Sequence, residues 1–164
     1  MWLLGGEGVP KARTAAMLLC DDMNLYVAFI CTEPDRRKPL IIGGPPWDDD
    51  EAEVWIDADG DRKTFRQVII NGANSKMEYW ESGPGPIGAT TAVHVDEGAS
   101  WMVEMAIPFA GLGVKPPKPG DTWRVSLCRG RPPGRKTPTH ELIVWAPLRA
   151  GFNDLENFGA VTFR

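Results

Sequence analysis

Apolar and polar residues alternate in short runs along most of the chain, which is the pattern of strands. Residues 25–32 (L-Y-V-A-F-I-C-T) are rich in β-branched and aromatic side chains, and residues 51–57 alternate acidic with apolar positions. A period of two is typical of strands that turn one face toward a core. No segment shows the 3.6-residue period of a helix of about 12 residues. The predicted strands are 14–20, 25–32, 51–57, 64–71, 76–80, 91–95, 101–107, 122–129, 142–145 and 160–163.

Turn-forming residues separate these strands at regular spacing. The chain has 18 glycines and 15 prolines, well above average usage, which indicates many turns between short elements. Hairpin turns are predicted at 21–24 and at the Asp-Glu-Gly sequence 96–98, and one helical turn within 108–113. Nine to eleven short strands without repeat or linker predict an all-β fold: a single-domain, antiparallel, jelly-roll-like β-sandwich over residues 1–164, with at most short helical turns.

Composition and charge argue against several classes of protein. The 164 residues are 43% hydrophobic, which is enough for a core. A net charge of -4 argues against a nucleic-acid partner, which would need a basic surface. No run of 18 apolar residues is present, so no membrane span is expected. The N-terminal M-W-L-L-G-G lacks the basic start of a secretion signal, so no signal peptide is expected in this chain.

The three cysteines, Cys20, Cys31 and Cys128, show no Cys-x-x-Cys spacing. They are predicted to be buried thiols. A disulfide between Cys20 and Cys31, as partners on adjacent strands, is the alternative.

Residues 47–61 (W-D-D-D-E-A-E-V-W-I-D-A-D-G-D) concentrate eight carboxylates and two tryptophans in fifteen positions. Neighbouring carboxylates repel, so we ask what they face. Strand alternation puts Glu51, Glu53, Trp55 and Asp57 on one face, expected to be wet, and the residues between them in the core. Glu51 and Glu53 would be about 7 Å apart. That spacing permits a jelly-roll glycosidase using both carboxyls, and a solvated acidic strand is the alternative.

Asp57-Ala-Asp-Gly-Asp resembles the start of a calcium loop, because three carboxylates alternate and Gly60 permits a sharp bend. The remainder of an EF-hand is missing, since Val68 occupies the twelfth position. The sequence therefore leaves two interpretations: a structural Ca²⁺ held by Asp57, Asp59 and Asp61, or a plain Asp/Gly hairpin turn.

Cationic and aromatic candidates lie near strand ends. If the strand that ends at Arg129 borders the acidic strand, Arg129 can pair with a carboxylate and fork onto hydroxyls. The basic residues of 130–138 are expected to form a solvated loop. Trp47 and Trp145 both lie at strand junctions, where an exposed ring suits stacking on the apolar face of a sugar. A place in the core is the alternative for each tryptophan.

Six segments, in this order, resemble the family 9 carbohydrate-binding modules and their DOMON-like relatives. I-P-F-A-x-L-G and P-G-D-x-W-R are the most specific parts of the pattern. The segments are L-Y-V-A-F-I-C-T-E-P-D (25–35), W-D-D-D-E-A-E-V-W-I-D (47–57), W-M-V-E-M-A-I-P-F-A-G-L-G (101–113), P-G-D-T-W-R-V-S-L-C-R (119–129), E-L-I-V-W-A-P (141–147) and F-G-A-V-T-F (158–163).

The resemblance implies a β-sandwich that binds a sugar, often a chain end, between two tryptophans, with structural calcium nearby. It gives Trp47 the role of first stacking ring, Glu53 the role of acceptor for sugar hydroxyls, and Trp145 the role of candidate second ring. It also implies an extracellular or periplasmic location. Further polar contacts are implied at Arg129, at Glu141, and at either Arg66 or Asn71.

We therefore expect a non-catalytic module that binds a mono- or oligosaccharide or a polysaccharide end, as a part of a larger polypeptide. Three alternatives stay open. The first is a ligand-free structural or interaction sandwich appended to a larger protein, and the second is the glycosidase with Glu51 and Glu53. The third is a DOMON-like haem binder, which would need a Met/His ligand pair that the sequence does not place well.

Overall fold

The structure is a computed structural model and describes residues 1–6, 8–35, 39–96, 100–133 and 139–164. Its one helix, α1, spans Phe109–Leu112, and single 3-10 turns occur at Leu4–Gly6, Pro46–Asp48 and Leu155–Asn157. The strands are β1 (Trp2–Leu3), β2 (Thr14–Cys20), β3 (Asn24–Thr32), β4 (Glu51–Asp57), β5 (Arg66–Asn71), β6 (Lys76–Trp80), β7 (Gly83–Pro84), β8 (Thr90–Asp96), β9 (Ser100–Pro108), β10 (Thr122–Arg131), β11 (Glu141–Val144) and β12 (Gly159–Thr162).

Two antiparallel sheets make up the described part of the chain. Eight strands form one sheet in the order β1-β11-β10-β4-β5-β6-β7, with β12 paired to the other end of β10. Four strands form the second sheet in the order β2-β3-β9-β8. The predicted β-sandwich is confirmed. The helical turn predicted within 108–113 is α1, and part of the predicted turn at 96–98 lies outside the described residues.

The core lies between the two sheets and follows the predicted alternation. Ala52, Val54 and Ile56 of β4 are buried in one cluster with Val27 and Phe29 of the opposite sheet. Burying such side chains supplies most of the driving force for folding. The assignment of alternate β4 residues to the core is therefore confirmed.

The other face of β4 is not wet, which corrects the prediction. Trp55 is 8% exposed, and Glu51, Glu53 and Asp57 are 2%, 5% and 1% exposed. A second apolar cluster covers part of this face, because the segment after β11 folds back over it. That cluster consists of Trp55, Cys128, Val144, Ala146, Leu148 and Phe158.

All three cysteines are free thiols, so the disulfide alternative is wrong. Cys31 pairs across the ladder with Thr14, and Cys20 pairs with Leu25, so the two cysteines are not cross-strand partners. Cys31 and Cys128 are buried as predicted, whereas Cys20 is half-buried.

Arg129 lies wholly buried on the inner face of β10. Its Nε and Nη2 donate to the two carboxylate oxygens of Asp50 at 2.9 and 3.0 Å. Nη1 donates to the Thr32 carbonyl at 2.9 Å and to the Thr14 hydroxyl at 3.3 Å. Burial raises the pKa of Asp50 to about 6, although the Arg129 charge acts in the opposite direction. This fork joins β10 to the residue that precedes β4.

Arg131 extends the same buried ionic cluster, so its predicted place in a solvated loop is wrong. It donates to Glu33, to Asp35 at 2.7 Å and to Glu141 at 3.2 Å. The strand continues two residues beyond its predicted end, where Glu33 and Asp35 from a distant segment and Glu141 from the paired strand β11 supply acidic partners. The other basic residues of that predicted loop, Arg135 and Lys136, lie outside the described residues.

No helix in the described ranges is long and apolar enough to cross a membrane.

The buried ionic cluster generates a stability prediction. Arg129→Ala should lower the free energy of unfolding by about 3–5 kcal/mol, because it leaves the Asp50 carboxylate buried without its cation. Urea denaturation measures this loss. Arg62→Ala is the matched control, since Arg62 forms an exposed pair with Glu156 at 2.8 Å and should cost at most about 1 kcal/mol. Equal small losses for both variants would contradict this account of the cluster.

Candidate functional site

Glu53 occupies the centre of the outer face of the eight-stranded sheet, opposite Cys128 on one side and Ile69 on the other. Its Oε2 accepts hydrogen bonds from Trp55 Nε1 at 2.6 Å and from Gln67 Nε2 at 2.8 Å. Burial raises the pKa of Glu53, while these two bonds act to lower it. Two neutral donors therefore fix the orientation of a nearly buried carboxylate.

Glu51 lies on the same face, two residues before Glu53. Its carboxyl group sits over Gly130 of β10, where an added Cβ would come within 2.1 Å of Glu51 Oε1. Glu51 Oε2 is buried and has no hydrogen-bond partner among the described residues. Burial, together with the charge of Glu53, raises the pKa of Glu51 well above its ordinary value.

Two aromatic rings lie on the same side of the sheet as this carboxyl pair. Trp47 lies in the 3-10 turn before β4, and its side chain is 43% exposed. Its ring centroid is 6.4 Å from that of Tyr79, with the planes inclined by 53°. Tyr79 pairs with Gln67 across the β5–β6 ladder and therefore shares its face. Trp47 and Glu53, predicted from the sequence, thus lie on the same side of the sheet.

Asn71 also belongs to this face, but both of its polar groups are engaged. Its Nδ2 donates to Asp49 Oδ2 at 2.7 Å. Its Oδ1 accepts from the backbone N–H groups of Ala73 and Ser75 at 3.0 and 2.8 Å. These bonds tie the segment that carries Trp47 to the end of β5.

The structure does not bring the remaining predicted polar contacts to this face. Arg129 and Glu141 belong to the buried ionic cluster on the inner face. Arg66 pairs across the ladders with Ile56 and Trp80, and so projects from the opposite face to Gln67. Its guanidinium lies 3.9 Å from the centroid of the Trp80 ring.

Trp145 is half-buried and lies several strands away from Trp47 across the sheet. It packs against both apolar clusters. A Cβ at Gly159 of β12 would come within 2.2 Å of the Trp145 ring, so the ring rests directly on that glycine. β12 pairs with β10, whereas Trp47 contacts Tyr79 of β6, three strands away from β10.

Sequence reasoning missed Gln67 and Tyr79 as members of the site. A signal for Gln67 was present, because it precedes Asn71 by four residues on one strand and therefore shares its face. Tyr79 could not be assigned in the same way, since its place depends on which strand pairs with β5.

Asp57, Asp59 and Asp61 offer carboxylate oxygens that all lie within 4.8 Å of one another. Asp57 also accepts backbone N–H bonds from Gly60 at 2.8 Å and Arg62 at 3.0 Å. Burial raises the pKa of Asp57, and the neighbouring Asp59 adds to the effect. Three clustered carboxylates are ligands that suit Ca²⁺, and the same residues also complete a tight turn.

Two solved structures share this fold, both of a family 9 carbohydrate-binding module from Caldicellulosiruptor kristjanssonii. The complex with cellotriose has a TM-score of 0.75 at 17% identity, covering 95% of this chain and 77% of that chain. The complex with glucose has a TM-score of 0.76 at 17% identity, covering 100% of this chain and 84% of that chain. At this identity the likeness shows the fold alone.

No curated protein matches the chain. The family model described as "Carbohydrate family 9 binding domain-like" matches residues 6–163. This match spans every segment that carries the resemblance, and it includes the strands β4, β5, β6 and β10 around Glu53. The chain belongs to the carbohydrate family 9 binding domain-like family.

Proposed function

We propose that this protein is a non-catalytic carbohydrate-binding module whose site is the outer face of the eight-stranded sheet around Glu53. One observation carries the proposal: an exposed Trp47 ring stands on the same face as a carboxylate that Trp55 and Gln67 hold in one orientation. A sugar ring needs both features, because it presents apolar C–H groups on its faces and hydroxyl donors at its edge.

The chemistry of binding follows from these groups. Trp47 offers a flat apolar surface for stacking, and Tyr79 stands beside it. The Glu53 carboxylate accepts hydroxyl hydrogens in charge-assisted bonds, which are stronger than bonds between neutral groups. A few such bonds and one stacked ring give a modest affinity, on the order of micromolar to millimolar.

The proposed ligand is a glucose-containing mono- or oligosaccharide, or the end of a polysaccharide. The two structural relatives were solved with cellotriose and with glucose, which supports this class. A polysaccharide ligand would place the protein in the extracellular or periplasmic space. Arg129, Glu141, Arg66 and Trp145 are left out of the proposed site because their side chains are engaged elsewhere in the fold.

The geometry of the carboxyl pair supports binding without catalysis. Glycosidase carboxyls lie about 5–5.5 Å apart in retaining enzymes and about 6.5–9.5 Å apart in inverting ones. Glu51 is instead 2% exposed, and its carboxyl sits against Gly130 of β10, where a glycosidic bond cannot reach it. The pair therefore lacks the second accessible carboxyl that either class of glycosidase uses.

Removing the stacking ring should weaken sugar binding. Titrating wild type with glucose and cello-oligosaccharides should give a saturable change in tryptophan fluorescence. Trp47→Ala should bind at least tenfold more weakly, equivalent to about 1.4 kcal/mol. Trp2→Ala is the matched control, because Trp2 is 55% exposed at the far edge of the sheet and should leave the affinity unchanged. Unchanged affinity in Trp47→Ala, or no response of the folded wild type to any sugar, would refute the proposal.

We also propose that Asp57, Asp59 and Asp61 hold a structural Ca²⁺. A ligand that binds only the folded state stabilises it by about 2.7 kcal/mol at a hundredfold excess over its dissociation constant. Added calcium should therefore raise the melting temperature above that in chelator, and Asp59→Asn should remove the difference. Asp22→Asn, at an exposed turn, should keep it. Identical melting of wild type in calcium and in chelator would leave only the hairpin-turn interpretation.

A further inference from the structure

We propose that Glu51 is a positioning residue of the carbohydrate site, carrying a proton that it donates to Glu53 and so fixing the carboxylate that receives the sugar hydroxyls. This inference rests on the proposed function and adds a residue to it. Glu51 would act through Glu53 and would not itself touch the sugar.

The local backbone is shaped to hold the two carboxyls together. Glu51 and Glu53 project from the same face of β4 and are 2% and 5% exposed. Gly130 lies directly opposite Glu51 in the β4–β10 ladder, and only a residue without a Cβ leaves space for the Glu51 carboxyl there. The absence of a side chain at Gly130 therefore lets the Glu51 carboxyl pack against β10.

A shared proton is the arrangement that costs least. Two ionised carboxylates in one buried site repel, so such a pair holds one proton between them and titrates as a unit. Trp55 and Gln67 already donate to Glu53 Oε2, which marks Glu53 as the ionised member. Glu51 receives only the backbone N–H of Gly130, and its buried Oε2 has no hydrogen-bond partner among the described residues, which marks it as the protonated member.

Among the described residues of β4, β5 and β10, Arg124 is the cation on the face of the pair. It lies opposite Asp57, and its guanidinium donates to the backbone carbonyls of Glu156 and Phe158. Arg129 projects from the opposite face of β10 and is bound by Asp50. Burial lowers the pKa of His140, which stands near Gly130, so it is neutral at neutral pH. The other facing groups are Asp57 on β4, Gln67 and Asn71 on β5, Cys128 on β10 and Asp49 in the preceding turn.

The sign of the pH dependence follows from the raised pKa values. Burial makes the folded pair bind its proton more tightly than an unfolded glutamate, whose pKa is about 4.3. The shared proton therefore stabilises the folded state. This contribution is fully present below the pKa of the unfolded glutamate and is lost as the pH rises through the raised pKa of the pair. Sugar affinity should fall over the same rise, because Glu51 then stops donating and repels Glu53.

The experiment compares cellotriose affinity by calorimetry from pH 5 to pH 9. Wild type should weaken as the pH rises, by at most tenfold per pH unit for one linked proton. Glu51→Gln keeps a donor at every pH and should bind independently of pH. Glu51→Leu lacks the donor and should bind more weakly throughout. Glu104→Gln, an exposed position on the four-stranded sheet, should keep the wild-type profile.

Identical pH profiles of sugar affinity for wild type and Glu51→Gln would overturn the inference. This comparison tests the inference even if Glu51→Leu does not fold. The free energy of unfolding without sugar, measured over the same pH range, tests the shared proton separately from sugar binding. The difference between wild type and Glu51→Gln isolates the pair, because Asp50 and Asp57 are present in both. If the free energy of unfolding depends on pH in the same way for wild type and Glu51→Gln, the shared proton is refuted. If the two proteins differ in the pH dependence of unfolding but wild type binds no sugar at any pH, the proposed function is refuted, and so is the positioning role of Glu51.

Discussion

The fork between Arg129 and Asp50 is the contact on which the arrangement of the site depends. It fixes the residue before β4 to the inner face of β10, through two hydrogen bonds of 2.9 and 3.0 Å. Because strand residues alternate, anchoring Asp50 inward commits Glu51 and Glu53 to the outer face. A shift by one residue would bury Ala52 and Val54 on the wrong side and destroy both the core and the site.

The acidic stretch that stood out in the sequence divides into separate tasks in the structure. Asp49 binds Asn71 and holds the Trp47 turn in place, and Asp50 pairs with Arg129. Glu51 and Glu53 are both buried on the outer face and form the carboxyl pair of the proposed site, and the last three aspartates close a turn. Like charge is tolerated at Asp49 and Asp50 because each has its own donor, and the proposed shared proton would relieve it at Glu51 and Glu53.

Strand positions and the two-sheet fold were predictable, because the alternation of β4 and the hairpins of β2, β3, β8 and β9 are local properties. The candidate site was predictable in part: Trp47 and Glu53, to which the resemblance gave roles, lie on the same face. The burial of Arg131 and the cover over Trp55 were not predictable, since both come from segments far away in sequence. Trp145 rests on Gly159, a contact that no spacing rule reveals.

The most direct test of a sugar site around Glu53 is the set of tryptophan indole N–H signals in a ¹⁵N NMR spectrum during titration with glucose. The account predicts that the signals of Trp47 and Trp55 move, because one ring stacks on the sugar and the other donates to Glu53. The signals of Trp101 and Trp123, buried in the core between the sheets, should stay in place. Shifts confined to Trp145, or no shifts at all, would contradict the account.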